Sequence, residues 1–267
     1  MKTFFLSFLG GLSALVVFFL LLPLVLILSF MPDGEARKPS SAVLALDLRE
    51  TWSDQPAKDE FSALFASDSF VEILLKLDAA ATDPNVKGVF VRAAEFDMSS
   101  SRAEELREAF LKIKSEGKVV IAHSQGFLAS GPAAYRAVAA ADELWIQPGS
   151  SFEAPGIAFE TLFLGGALSK INVQPQIEQL YEFKNAADVY KQRGYTPAHA
   201  EAMRQLAASV WSHSVADIAS DRSQAPETIA ALLEASPYTA ERAVELKLAD
   251  RLGWPEDAQK AAEDRAD

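Results

Sequence analysis

The sequence contains no cysteine, and it lacks the glycine-rich phosphate-binding patterns of nucleotide enzymes. Without cysteine there is no disulfide, no thiolate metal site and no cysteine nucleophile. Neither Gly-x-Gly-x-x-Gly nor a Walker loop occurs, so no motif points to a dinucleotide or nucleotide cofactor. The three histidines are far apart in sequence, which argues against a histidine metal site or triad: His123, His199 and His213. We therefore expect neither a cofactor nor a metal ion.

Positive charge is also scarce. The 267 residues include 25 Lys and Arg against 37 Asp and Glu, a net charge of −12. The first 32 residues hold a single charge, Lys2, so the body of the chain is the acidic part. An acidic body is soluble and repels nucleic acid and anionic lipid surfaces. We expect no nucleic-acid partner.

Thr3 to Pro32 form a long stretch without a charged residue. This stretch exceeds the about 20 apolar residues that span a bilayer, whereas the apolar core of a cleaved signal peptide has about 7–15. We interpret residues 1–36 as a cytoplasmic tip and an uncleaved transmembrane signal anchor, with a cleaved signal peptide as the alternative. Lys and Arg nearly balance on the two sides of the span, so they decide little about orientation. A short N-terminal tail before a large body suits export of the body, and we expect the N-terminus inside.

Beyond the anchor, short apolar strands alternate with amphipathic helices. This alternation is typical of βαβ crossovers around a parallel sheet and predicts an α/β fold. The tail from Pro255 to Asp267 is charged and alanine-rich, so we interpret residues 255–267 as a charged tail or linker and residues 37–254 as one domain. The predicted elements are strands at 42–48, 86–92, 118–123, 143–147 and 174–183, and helices at 61–80, 102–116, 133–141, 161–170 and over most of 197–250.

The stretch from Leu180 to Tyr195 contains a lysine that is a candidate general base, although the local sequence by itself favours a solvated surface lysine. It begins with the alternation of a strand and continues with the spacing of a short helix, and Lys184 lies at the junction, where Asn185 could cap the helix. The positive end of a helix dipole and burial both lower the pKa of a lysine side chain, and a neutral lysine can take a proton from a hydroxyl. The alternative is a solvated lysine paired with Asp188 one turn further on.

Four stretches of the chain match motifs of a known family. They are, in chain order, Val86-Lys-Gly-Val-Phe-Val-Arg92, Gly117-Lys-Val-Val-Ile-Ala-His-Ser-Gln-Gly126, Ala140-Ala-Asp-Glu-Leu-Trp-Ile-Gln-Pro148 and Phe183-Lys-Asn-Ala-Ala-Asp188. Together they resemble the signal peptide peptidase A family, also called protease IV, from the anchor to about Trp254. The resemblance implies a crotonase or Clp-protease-like ββα superhelix with a parallel sheet, behind one N-terminal transmembrane helix. It also implies a Ser/Lys dyad, with Lys184 as the general base.

The chain departs from this family where the nucleophile and the oxyanion hole are expected. The family serine stands in Ala-Ala-Ser-Gly-Gly-Tyr-Tyr, whereas this chain has Leu128-Ala-Ser-Gly-Pro-Ala-Ala-Tyr135. An ungapped count from Asp142 places Pro132 at the serine position, and a two-residue insertion restores Ser130 as the candidate nucleophile. The glycine pair of the oxyanion hole is replaced by Ala93-Ala-Glu-Phe-Asp-Met98.

In these departures the chain resembles the N-terminal half of the long form of the family. In that form the N-terminal half carries the lysine and a second half carries the serine. The Ser124-Gln125-Gly126 sequence also points to that half, and we expect the chain to end where the second half would begin. The first hypothesis is thus a membrane-anchored serine endopeptidase that degrades remnant signal peptides, incomplete without a serine-bearing half. The expected partners are apolar peptides, the membrane, and a second copy or a serine-bearing half.

The second hypothesis is a catalytically incomplete crotonase-like subunit or fragment that scaffolds an oligomer. In that case Lys184 is a remnant of the dyad. For either function the resemblance implies a bacterial inner membrane, with the folded domain on the periplasmic side. Cleavage of an apolar peptide by the isolated chain, or its absence, separates the two hypotheses.

Overall fold

The structure is a computed structural model that describes residues 2–25, 40–57, 67–96, 98–128 and 131–266. The chain divides into an N-terminal unit that ends at Ser40 and a second unit from Ser41 to Asp267. In the first unit, helix α1 (Lys2–Val16) continues through a π-helical turn, Val17–Leu21, to Val25. Lys2 to Val25 span 24 residues and contain an 18-residue stretch with a mean hydropathy of 2.6, so the helix is long and apolar enough to cross a membrane. A signal sequence would have the same character, and residues 26–32 of the predicted span lie outside the described residues.

The second unit is built around a parallel sheet of five strands in the order β1-β2-β3-β4-β7. A separate antiparallel ribbon pairs β5 with β6. The α/β class with a parallel sheet is thereby confirmed. The strands are β1 (Ala42–Asp47), β2 (Val86–Arg92), β3 (Val119–Ser124), β4 (Glu143–Ile146), β5 (Ser151–Phe152), β6 (Tyr238–Thr239) and β7 (Arg251–Leu252).

Four helices of this unit, which begin after Ser69, Ser99, Thr196 and Thr239, start at residues whose side chains accept from free backbone N–H groups. Ser69 and Glu72 form a capping box at the first turn of α2, which explains why this helix begins at Phe70. Thr196 caps α7 in the same manner, by accepting from the N–H of His199 at 3.2 Å. A cap of this kind contributes about 0.5–2 kcal/mol. The helices are α2 (Phe70–Thr82), α3 (Ser100–Ser115), α4 (Ala133–Ala139), α5 (Gly165–Lys170), a 3-10 turn (Asn185–Ala187), α6 (Asp188–Lys191), α7 (Pro197–Asp221), α8 (Pro226–Glu234), α9 (Ala240–Glu245) and α10 (Pro255–Ala266).

The main hydrophobic core contains strand residues Val89 and Val91 together with apolar residues of α2, α3 and α7. Helix α4 is buried along its whole length. Its side chains are mostly alanine, so neighbouring elements approach it closely. The one charged residue of α4, Arg136, is held by Asp217 of α7 through an Nε–Oδ2 hydrogen bond of 2.7 Å.

The segment 255–267 was predicted to be a charged tail or linker, and the structure differs from this prediction. Residues 255–266 form α10, which packs on the sheet through Ala258 and Ala262, against Phe90 and Trp145. A side chain at Gly253, just before the helix, would bring its Cβ to 2.5 Å from a ring carbon of Trp145. Glycine is required there because the chain passes so close to that ring. Residues up to 266 therefore belong to the folded unit.

Residues 174–183 also differ from the prediction, because no strand forms within this fully described segment. A strand needs a neighbour that pairs with its N–H and C=O groups. The alternation of Ile177, Leu180 and Phe183 with polar residues fits a strand, but the segment has no sheet neighbour within the described part of the chain.

Candidate active site

The loops that follow β2 and β3 meet at the carboxyl edge of the sheet, the usual place for ligands in α/β folds. The N–H of Leu128 donates to the carbonyl of Glu95 at 3.0 Å, and the N–H of Phe127 donates to the carbonyl of Ser151 at 3.0 Å. These bonds hold the loop after β3 between the loop after β2 and strand β5. The residues predicted to carry the nucleophile follow directly on this loop.

Ser130, the candidate nucleophile, lies outside the described residues, so its role stays a prediction. The next residue, Gly131, has φ +66°, and an added Cβ would lie 2.9 Å from the carbonyl oxygen of Gly156. Only glycine suits this left-handed conformation and this close approach. Pro132 then precedes the first residue of α4 and has no N–H to offer an oxyanion.

The loop after β2 also lacks one of the donors that an oxyanion hole requires. The N–H of Ala93 donates to the carbonyl of His123 at 2.8 Å, which continues the pairing of β2 with β3. That N–H is therefore not free to stabilise negative charge on a substrate oxygen. The described geometry provides no glycine pair here, as the sequence indicated.

Lys184 lies at the start of the 3-10 turn, with an exposed side chain and a backbone N–H that donates to the carbonyl of Tyr181 at 3.3 Å. Asn185 is the first residue of that turn and does not cap it. Among the described residues, the Lys184 ammonium has no hydrogen-bond or ion-pair partner. The alternative prediction, a surface pair between Lys184 and Asp188, does not form.

Asp188 instead ties the lysine-bearing turn to helix α7. Its carboxylate is buried and accepts a hydrogen bond from the Thr196 hydroxyl at 3.3 Å. The Nδ1 atom of the buried His199 lies 3.3 Å from Asp188 Oδ2 without hydrogen-bond geometry. The His199 ring packs edge-on against Tyr195 at 4.9 Å between centroids. Sequence reasoning saw Asp188 as a surface partner and missed this anchor.

Large apolar side chains around Lys184 are exposed. Leu180 is 75 % exposed, Tyr181 83 % and Phe183 58 %. Beside them runs an open groove of about 850 Å³ lined by residues 177–182 and by the first residues of α7. An exposed apolar cluster of this size on a soluble unit is typical of an interaction surface.

A second cavity, of about 350 Å³, opens at the carboxyl ends of β1 and β2. Its apolar wall includes Leu48, Trp52, Phe70 and Met98. The guanidinium of Arg102 lies over the Phe70 ring at 5.1 Å from its centroid. The cavity has the size and lining to hold an apolar side chain of a peptide.

A network of polar side chains joins the carboxyl ends of β1 to β4, and sequence reasoning did not foresee it. The Gln125 amide oxygen accepts hydrogen bonds from Arg49 at 2.7 Å and from Arg92 at 2.6 Å. Asp47 accepts from Arg49 Nε at 2.8 Å, and Gln147 accepts from the Gln125 amide nitrogen at 3.4 Å. The Arg49 guanidinium holds the pKa of the Asp47 carboxyl below its ordinary value. The Ser-Gln-Gly sequence after β3 was the only signal of this network.

The histidines do not come together. His123 is buried on β3, where its Nε2 lies 3.1 Å from the carbonyl oxygen of Gly253, and burial lowers its pKa. His213 is exposed on α7. Within the described ranges, no group of three His, Asp or Glu side chains is placed to hold a metal ion.

Comparison with known proteins places the chain among peptidases. The model of peptidase family S49 matches residues 112–267. The chain is 25 % identical over 218 residues to the chloroplastic serine protease SPPA of Arabidopsis thaliana, covering 81 % of this chain and 31 % of that protein. It is 25 % identical over 174 residues to protease 4 of Haemophilus influenzae, covering 65 % of this chain and 28 % of that protein. The chain thus spans less than a third of these relatives.

A solved structure is also similar, the crystal structure of a peptidase from Plasmodium falciparum. The match covers 76 % of this chain and 94 % of that chain, with 12 % identity and a TM-score of 0.40.

Proposed function

Because the chain belongs to peptidase family S49, as its motifs predicted, we propose that it is the lysine-bearing part of a membrane-anchored serine endopeptidase with a Ser/Lys dyad. Its substrates are remnant signal peptides, and Lys184 is the general base. The observation that carries this proposal is the position of Lys184, unpaired within the described part of the chain, at the head of a turn that Asp188 anchors.

The reaction proceeds through an acyl-enzyme. Lys184 takes the proton from a serine hydroxyl, and the resulting alkoxide attacks the peptide carbonyl to form a tetrahedral intermediate. The protonated lysine then gives its proton to the leaving amine, and water releases the acyl group by the reverse sequence. Backbone N–H groups around the carbonyl oxygen contribute a few kcal/mol by stabilising the developing negative charge.

The serine and part of the oxyanion hole come from a second half or a second copy. Three observations support this step. The N–H of Ala93 already donates to the carbonyl of His123, and Pro132 has no N–H. In addition, exclusion of water favours the neutral form of a lysine. The exposed Leu180, Tyr181 and Phe183 give a partner an apolar surface through which to bury Lys184.

Replacement of Lys184 tests the dyad. In the assembled enzyme Lys184→Ala should lower the rate of peptide cleavage by at least about 100-fold, the usual minimum for loss of a general base. Lys184→Arg should not restore activity, because arginine does not release its proton. Lys191→Ala is the matched control, since Lys191 is also exposed and makes only a 3.4 Å contact with the carbonyl of Ile177. Equal losses from the two alanine variants would show that Lys184 is not the base.

The incompleteness of the chain has its own test. The isolated chain should cleave an apolar peptide slowly or not at all, and Ser130→Ala should not change that rate. Addition of a serine-bearing half of a family member should restore cleavage in the wild-type chain and not in Lys184→Ala. Rapid cleavage by the isolated chain that is lost in Ser130→Ala would make the chain a complete enzyme.

The alternative function is an oligomer scaffold that has lost catalysis. The replacement of the oxyanion glycines by Ala93 and Ala94 is the observation that favours it. Under this alternative the chain assembles with its partner, but Lys184→Ala has no effect on the activity of the assembly. The same reconstitution therefore separates the two functions.

We place the chain in the bacterial inner membrane, held by the helix from Lys2 to Val25, with the sheet domain on the periplasmic side. The helix exceeds the about 20 residues that cross the hydrocarbon core. The full chain should stay with membranes after carbonate extraction, and protease added to spheroplasts should digest the sheet domain. A soluble mature form that begins near residue 32 would show a cleaved signal peptide instead.

A further inference from the structure

Gln125 lies between two guanidinium groups. Its amide oxygen accepts from Arg49 NH1 at 2.7 Å and from Arg92 NH2 at 2.6 Å, so two cations converge on one neutral oxygen. A carboxylate oxygen adds the attraction between opposite charges to each guanidinium hydrogen bond, and a neutral amide oxygen does not. The arrangement is therefore stronger with a carboxylate oxygen at the same position than with the amide.

The two arginines differ in charge compensation. Arg49 donates through Nε and NH2 to both carboxylate oxygens of Asp47. Arg92 has no carboxylate within ion-pair distance among the described residues, and its recorded partner is the neutral Gln125. The network of Asp47, Arg49 and Arg92 thus carries one uncompensated positive charge on a chain whose net charge is −12. All three side chains are only partly buried, so a ligand can reach them.

We propose that Arg92, Arg49 and Gln125 form a binding site for the C-terminal carboxylate of a peptide. The proposal rests on the proposed function, because a peptidase of this family meets peptides that end in a free carboxylate. The Gln125 amide oxygen occupies the position of one carboxylate oxygen in the unliganded state. Its nitrogen is held by Gln147 through a long bond of 3.4 Å, so the side chain turns away at small cost when a ligand enters.

The charge balance favours a carboxylate over a phosphate group. A carboxylate brings one negative charge, which matches the single uncompensated positive charge. A phosphate monoester brings about −1.5 to −2 charges at pH 7 and would leave an excess beside Asp47. The planar fork of a guanidinium also fits two carboxylate oxygens, which fixes the orientation of the bound terminus.

The site lies on the same edge of the sheet as the loops of the candidate active site. Arg92 is the last residue of β2, and Ala94, two residues further on, lines the apolar cavity together with Leu48 and Trp52. A peptide whose terminal carboxylate binds at Arg92 is therefore held beside this cavity. The enzyme would select peptides with a free C-terminus, as a cleaved signal peptide has, over the same sequence within a longer chain.

Binding of matched peptides to the full chain in detergent micelles tests the proposal. Isothermal titration would compare acetyl-Leu-Ala-Leu that has a free carboxylate with the same peptide as its amide, in the Lys184→Ala background so that no cleavage occurs. The acid should bind roughly tenfold more tightly or better, as the loss of one charged hydrogen bond implies. Arg92→Gln should abolish this preference, and the control Arg251→Gln, on the edge strand β7, should retain it.

Equal affinity for acid and amide in the chain that carries only Lys184→Ala would overturn the proposal, and this comparison needs no change at Arg92, Arg49 or Gln125. Displacement of the acid by inorganic phosphate at equal concentration would overturn the assignment to a carboxylate. A preference for the acid in a chain that fails every reconstitution of cleavage would leave the site standing while the peptidase function falls. Cleavage by the reconstituted enzyme without any preference for the acid would leave the peptidase function standing while the carboxylate site falls.

Discussion

Arg136→Met tests the ion network that fixes the helix after the candidate nucleophile. The Arg136 side chain is 3 % exposed, and its guanidinium meets Asp217, Glu104 and Ser100. Because α4 begins directly after Gly131 and Pro132, this network holds the end of the loop on which Ser130 lies. Methionine keeps most of the apolar stem of arginine and removes only the charge and its hydrogen bonds.

The magnitude follows from what the substitution leaves behind. Removal of one partner from a buried ion pair costs about 3–5 kcal/mol, because the other charge stays without compensation. Here Asp217 is 26 % exposed and keeps Arg107, whose NH1 lies at 3.3 Å. Both features reduce the penalty, so we expect Arg136→Met to lower the free energy of unfolding by about 3 kcal/mol, near the lower limit. For a folded unit of this size that corresponds to a fall of about 6–12 °C in Tm.

Thermal unfolding of the full chain in detergent micelles, followed by near-UV circular dichroism, measures this loss. The control is Arg242→Met, which breaks an exposed pair with Glu245 in α9 and should cost about 0.3–0.5 kcal/mol. If Arg136→Met costs no more than this control, the buried network contributes no net stability. The account of how α4 is held would then be wrong.

Three further substitutions or conditions have expected outcomes. Burial lowers the pKa of His123, so below about pH 6.5 the unfolded chain binds a proton that the folded chain does not. The free energy of unfolding, measured by chemical denaturation, should therefore fall as the pH drops below about 6.5. His123→Gln should reduce this dependence of the unfolding free energy on pH. Gly131→Ala should destabilise the chain by about 1–2 kcal/mol, because alanine is strained in a left-handed conformation and its Cβ would meet the carbonyl of Gly156. Urea unfolding measures this loss of stability. Gly253→Ala should lower Tm and change the near-UV signal of Trp145, since its Cβ would meet that ring; an unchanged spectrum would contradict the packing of α10.

The four strands of the sheet that precede residue 147 could be predicted from sequence to within two residues. The inner strands β2, β3 and β4 have consecutive buried residues, such as Gly88 to Val91, and buried parallel strands show apolar runs of this kind, whereas the edge strand β1 is only partly buried. Helix α10 was predicted only as a charged tail, a linker or a frayed helix, for the opposite reason. Its buried side chains are alanines at positions 258 and 262, which add little hydrophobic signal to a charged segment. The spacing of four residues between them was the available clue.

The residues of the candidate site also differ in how much the sequence indicates about them. The role of Lys184 stays a prediction, which rests on the motif around it, and a motif is a property of neighbouring residues. The partners of Arg92 and Arg136 could not be predicted, because Gln125 is 33 residues from the first and Asp217 is 81 from the second. Such pairs depend on strand order and helix packing, which a single sequence does not contain. Asp188 was assigned to the wrong partner because a helical spacing suggested Lys184 while the fold supplied Thr196.

The exposure of Lys184 links catalysis to assembly. A lysine serves as a general base in its neutral form, and water stabilises the charged form. In the described chain the side chain of Lys184 lies in solvent, so the exclusion of water must come from whatever covers Leu180, Tyr181 and Phe183. The backbone of the lysine turn is nevertheless fixed before assembly, since Asp188 holds it to α7. Under the proposed function, a partner needs only to remove water from a lysine whose backbone is already in position, and the base becomes active where the partner's serine arrives. An enzyme of that kind has no exposed dyad to cleave other proteins before it is assembled.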